Sequence, residues 1–325
     1  MIHSSLHLLG SRTVRGFTTL LLSLALGACV GMGSRTQSLA VGTATAGVAA
    51  TDAALASYNS VDPMLEQEWI NAKTGDLLAL PANATLEQQV LAGLASPTAA
   101  QEAQRARRKA SLSARRKAAR ELQEAYRAFN RLGAGTFGSD TTAAFNEATE
   151  AVTSFADARG LPLGESQIPG IVGRALGEII SGLQARDIRR HNAVLAELSL
   201  QFQTLWNADL PALEAIVDGA YNMELAQSMA GLPNSAFDQA AVGKIVPEPV
   251  AGDLKLRLYR MRLLTAAAEQ ANAAKAPLRA TGKALGALQE AHVELAKDRP
   301  SLADAIGAID RVLELSKAAE EGKPE

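Results

Sequence analysis

The sequence predicts an all-α protein, an elongated antiparallel helical bundle of about four or five long helices with a short helical N-terminal section. Three observations predict it. Hydrophobic residues make up 47 % of the chain but aromatic residues only 4 %, and Ala, the best helix former, supplies much of the difference. A sheet protein would draw on Val, Ile, Thr and aromatic residues instead. Large apolar residues then recur at three-and-four spacings over long stretches, the pattern of one buried helix face. Gly, Pro and capping residues punctuate those stretches at their ends.

The N-terminal region divides into two parts. Residues 1–28 carry Arg12 and Arg15, then an apolar run from Phe17 to Leu26, then Gly27-Ala28-Cys29. A basic region, a short apolar region and small residues at a cleavage point describe a secretory signal peptide. The run falls short of the ~20 apolar residues that span a bilayer. Leu26-Gly27-Ala28-Cys29 resembles the lipobox of bacterial lipoproteins. That resemblance implies that Cys29, the only cysteine, becomes the first residue of the mature chain and carries lipid. Val30 stands where an inner-membrane retention signal would place Asp, so the resemblance implies the outer membrane, periplasmic side. Residues 29–61, rich in Gly, Ser, Thr and Ala, read as a flexible tether, about 30 Å in r.m.s. span for such a composition, with a frayed helix near Val48 to Tyr58.

Residues 62–95 read as short helices. Asp62-Pro63 looks like an N-cap followed by Pro in the first turn, and Thr85 with Gln88 forms a capping-box pattern. The helical bundle is expected over 96–320. Its first long helix runs from Ser96-Pro97 to about Leu132, with Leu112, Leu122, Tyr126, Phe129 and Leu132 on its apolar side. Asp140 opens a shorter helix through about Ala158, bearing Phe145, Val152 and Phe155. Pro169 opens a long helix to Trp206, with Val194, Leu195, Leu198, Phe202 and Leu205 in its second half. Asp209 and Pro211 break or kink it, and a helix continues to Met229.

Residues 231–252 hold three prolines and read as an irregular connection. Leu254 to Leu258 alternates like a strand, but its apolar spacing also fits the helix that follows, and helix is favoured. That helix continues to Lys297 with a seam of Leu264, Ala271, Leu278 and Leu285. Pro277 lies within it and is expected to kink it. If the two helices form a hairpin, Pro211 and Pro277 come within roughly two turns of each other. Ser301 with Asp304 caps a last helix whose expected buried stripe is Leu302, Ile306, Ile309 and Leu313. Residues 321–325 read as a disordered tail.

Loss of the signal removes two of the 32 Lys and Arg residues and none of the 34 acids. The mature balance is therefore 30 basic against 34 acidic residues, net −4, which leaves no bulk footprint for nucleic acid. The strongest local charge feature is basic. Arg105, Arg108, Lys109, Arg115, Arg116 and Arg120 gather on one side of a helix at 100° per residue, which reads as a solvated face opposed by acids of a neighbouring helix or, alternatively, as a docking surface for an anionic envelope component or a protein partner.

Other motifs lose their context. Gly133 to Gly138 matches G-x-G-x-x-G but follows a helix, not the strand a dinucleotide site requires. His191 and His292, the histidines outside the signal, lack the Glu-x-x-His spacing of di-iron bundles and read as solvated or singly hydrogen-bonded. No metal, catalytic residue or cofactor is implied. The reading is a lipid-anchored outer-membrane protein that binds or scaffolds and is not an enzyme. The alternative is a membrane-active, pore-forming-like bundle acting through the apolar, Gly-rich segment 168–183, and the third is an enzyme whose site has no recognisable motif. The sequence leaves the oligomeric state open.

Overall fold

A computed structural model describes residues 32–78, 99–135, 140–159, 184–230, 250–297 and 300–322. Among the described residues every element is an α-helix: α1 (Met32–Leu78), α2 (Ala99–Gly133), α3 (Asp140–Arg159), α4 (Gln184–Ala230), α5 (Val250–Ala296) and α6 (Leu302–Glu321). The all-α bundle expected from the sequence is what forms, and residues 254–260 lie inside α5 as helix.

Side-chain contacts fix the directions of the helices. Thr45 meets Asn130, and Glu66 meets Arg105, so α1 and α2 are antiparallel. Asn192 meets His292, and Asp218 meets Lys275, so α4 and α5 are antiparallel. Glu290 pairs with Arg311, and Gly322 lies beside Pro277, so α5 and α6 are antiparallel as well. Phe145 faces His191 while Phe155 faces Phe202, which makes α3 and α4 parallel. One end of the bundle therefore holds the start of α1, α3, α4 and α6 and the finish of α2 and α5.

The largest difference from expectation concerns residues 29–61. From Met32 onward this stretch is not a tether but the first part of a 47-residue helix. Leu39, Ala40, Ala44, Ala46, Ala50 and Tyr58 are buried in the main core. The physical reason is small side chains at close quarters. Gly47 lies directly on the Tyr126 ring, and Gly133 lies against Val41 and the α1 backbone. Residues that bury little area each can still build an interface when two backbones approach closely. The boundary expected at Asp62-Pro63 is also absent, because Pro63 lies inside α1. The part of the expected 62–95 section that is described, through Leu78, continues the same helix. The segments 79–98, 160–183 and 231–249 lie outside the described residues.

Elsewhere the apolar faces hold. Leu112, Leu122, Tyr126, Phe129 and Leu132 of α2 are buried, as are Phe145, Val152 and Phe155 of α3. The α5 seam is buried at Ala271, Leu278 and Leu285, but Leu264 is 44 % exposed. The α6 stripe is rotated from the expected one. Ala305, Ala308, Ile309, Val312, Ser316 and Ala319 are buried, while Leu302 is exposed. Alanines face the neighbours here because they let α6 sit close to α1 and α5, as the Ala53, Ala280 and Ala319 cluster illustrates. The caps of α6 follow the sequence. Ser301 accepts a hydrogen bond from the Asp304 amide at 3.3 Å, and Gly322 closes the helix at φ 62°, where a side chain would be strained.

Pro211 and Pro277 both lie within continuous helices. The pairs Glu214–Arg279 and Asp218–Lys275 set the level of Pro277 midway between Glu214 and Asp218. Pro211 is thus about 7 Å away along the axis at 1.5 Å per residue, within the two turns expected.

Candidate functional site

Cys29 lies outside the described residues, three positions before α1 begins. The six basic residues singled out on α2 can be placed individually. Arg105 and Lys109 both pair with Glu66 of α1, Lys109 Nζ lying 2.9 Å from Glu66 Oε2. The hydrogen bond from Lys109 and the adjacent positive charges hold the Glu66 carboxyl below its ordinary range. Arg116 Nη2 lies 2.5 Å from Asp62 Oδ2. Arg108 and Arg120 are exposed, as are Arg107 and Lys117.

Arg115 is the clear departure. Its side chain turns inward and is buried against Asp209 of α4, Nη2 donating to Oδ1 at 2.9 Å and Nε lying 2.5 Å from Oδ2. The helical angle that grouped Arg115 with its neighbours points it between α1 and α4, where a planar guanidinium can meet a carboxylate at two points. The basic face is therefore divided among a buried ion pair, three pairs to α1 and two exposed cations, so that acids of a neighbouring helix oppose half of it. The acids that divide it, Asp62 and Glu66, lie in the segment whose continuity with α1 the sequence concealed.

A second polar cluster lies deep in the core. The Tyr126 hydroxyl and His292 Nε2 are 2.7 Å apart, and His292 Nδ1 is 2.7 Å from Asn192 Oδ1. Asn192 Nδ2 also donates to the His292 carbonyl at 3.0 Å. All three residues are buried. This chain ties α2, α5 and α4 together at one level. Burial pushes the Tyr126 phenol well above its usual range and lowers the His292 imidazolium to about 3. The imidazole is therefore neutral, one nitrogen donating and the other accepting. His191 is also buried and meets Phe145 edge-on, with ring centroids 5.3 Å apart. Neither histidine is solvated, and His292 uses both nitrogens. A sequence signal existed for this: His292 falls seven residues after Leu285, on the seam's own repeat.

The Gly133 to Gly138 motif begins as a helix end. Ala134 N donates to Asn130 O at 2.9 Å, and Gly135 adopts φ 81° just past the helix. That is how helices commonly terminate. Among the described residues no group of three or more His, Cys, Asp or Glu side chains is arranged to hold a metal ion. Residues Arg35–Glu66 of α1 are long and apolar enough to cross a membrane by length and composition, but they are mostly buried inside the bundle, as in the core helix of a bundle. The 168–183 segment lies outside the described residues.

Comparison of the chain with protein-family models, curated proteins and solved structures returns no match.

Proposed function

We propose that this chain is a lipid-anchored protein of the bacterial outer membrane, facing the periplasm, that acts by binding or scaffolding and not by catalysis. The observation that carries the reading is the succession of Arg12 and Arg15, the apolar run from Phe17 and the Leu26-Gly27-Ala28-Cys29 ending. Two features of the bundle support the mode of action. The core groups with catalytic potential, Tyr126, His292 and Asn192, bond one another and are closed off from solvent. The exposed Arg107, Arg108, Lys117 and Arg120 lie along one helix, where cations near an anionic surface each add about 1 kcal/mol of attraction.

The test uses membranes from cells that express the full chain. Wild-type protein fractionates with the outer membrane and resists extraction by high salt, whereas Cys29→Ser is released or retained as unprocessed precursor. A Cys29→Ser chain that is processed and stays in the outer membrane contradicts the reading.

A further inference from the structure

We propose that the bundle stands end-on against the bilayer, with the end that holds the start of α1 facing the lipid headgroups. The inference rests on the reading that Cys29 carries lipid and goes beyond it to the surface that meets the membrane. A freely tethered domain would have no preferred face. Here Met32, where α1 begins, is three residues from Cys29, and three residues reach at most about 11 Å at 3.8 Å per step. The helix is locked into the core almost at once, since Thr36, Leu39 and Ala40 are all buried. The start of α1 is thus held within about 11 Å of the anchor, closer than any other part of the bundle is required to be.

The neighbours of α1 define the rest of that surface. Gly133 packs on Val41 and Gly42 on Ile309, which brings the end of α2 and the first turns of α6 to the same level. Phe145 beside His191 adds the first turns of α3 and α4. The outer edge carries cations: Arg35 and Arg131 are exposed, Arg189 and Arg190 are half-buried on the early turns of α4, and the exposed Lys297 pairs with Glu294. At the opposite end lies the exposed start of α2, about 45 Å away along the axis from Ala103 to Ala134 at 1.5 Å per residue.

The experiment reads the distance of two positions from the headgroups. Full-length chain is purified from membranes in its fatty-acid-labelled form and placed in vesicles of phosphatidylethanolamine and phosphatidylglycerol that contain a headgroup nitroxide. With Cys29 consumed by lipid, a single added thiol takes a fluorophore at the exposed positions Ala134→Cys or Ala103→Cys. Quenching is expected to be several-fold stronger at 134 than at 103. A flexible 20-residue Gly-Ser insertion between Val30 and Gly31 is expected to reduce that ratio. Equal quenching at the two positions, on protein that carries label on Cys29, overturns the end-on arrangement while leaving the anchor intact. Absence of label on Cys29 overturns the anchor itself, and this arrangement with it.

Discussion

Arg115 and Asp209 meet inside the bundle as a two-point ion pair, one contact at 2.9 Å and the other at 2.5 Å, although Arg115 belongs to a basic stretch whose other members reach solvent. Buried charge is costly unless both partners are present, and removing one partner of such a pair costs roughly 3–5 kcal/mol. Asp209→Ala is expected to lower stability by that order in urea unfolding. Replacing both, Arg115→Met with Asp209→Leu, is expected to recover most of the loss, because well-packed apolar residues of similar volume replace buried pairs with little penalty. A double variant as unstable as the single one would show that the site depends on the charges themselves.

The surface pairs on the same helix behave differently. Arg105, Lys109 and Arg116 meet Glu66 and Asp62 where solvent reaches both partners. Exposed pairs contribute about 0–1 kcal/mol each. The triple variant with all three changed to Gln is expected to unfold within about 2 kcal/mol of wild type. A loss as large as that of Asp209→Ala would mean that these pairs hold α1 to α2.

Gly42 and Gly47 lie on the same helix, and their neighbours decide what a methyl group would do. At Gly47 an added Cβ would fall 2.3 Å from Tyr126 Cδ1 and Cε1. That ring is held in place by its bond to His292. At Gly42 the nearest atom is Ile309 Cδ1 at 2.8 Å, the far end of a side chain that can rotate. Gly47→Ala is expected to lose about 1–3 kcal/mol by overpacking, and Gly42→Ala much less, since Ala gains up to about 1 kcal/mol in helix propensity. Thermal unfolding of the two variants checks the ranking, and equal effects would contradict it.

His292 gives the bundle a pH dependence. Burial lowers its folded pKa to about 3 from the ordinary 6.5, so the unfolded chain takes up the proton first. The contribution of neutral His292 is fully present above pH ~6.5 and is lost as pH falls from there toward about 3, at about 1 kcal/mol per unit. Glu66, with its lowered carboxyl, adds a loss of the same sign at more acidic pH. Wild type is therefore expected to weaken between pH 6.5 and 5 more steeply than His292→Gln, as read by urea midpoints. Parallel profiles would show that the imidazole does not carry the effect.

The helices with large apolar residues were legible in the sequence because Leu, Phe and Tyr at three-and-four spacing have one physical explanation. Tyr126 and Phe129 of α2 and Phe155 of α3 are buried as their spacing requires. The start of α1 was not legible, since its contacts use Ala, Gly and Thr, residues that also compose flexible linkers. Only the partner reveals the difference: Gly47 has a purpose once the Tyr126 ring is above it. The basic face was legible as a pattern, but its particular partners were not. Spacing places Arg105, Lys109 and Arg116 together, but it does not show that Asp62 and Glu66 come alongside or that Arg115 turns toward Asp209. The relation between Pro211 and Pro277 was accessible because it needed only chain lengths around one hairpin.

Intact-mass analysis of the protein purified from membranes tests the proposal that Cys29 anchors this bundle. The expected chain begins at Cys29, lacks residues 1–28 and carries the added mass of acyl chains on that residue. A chain that retains the signal, or one cut elsewhere with Cys29 unmodified, would contradict it.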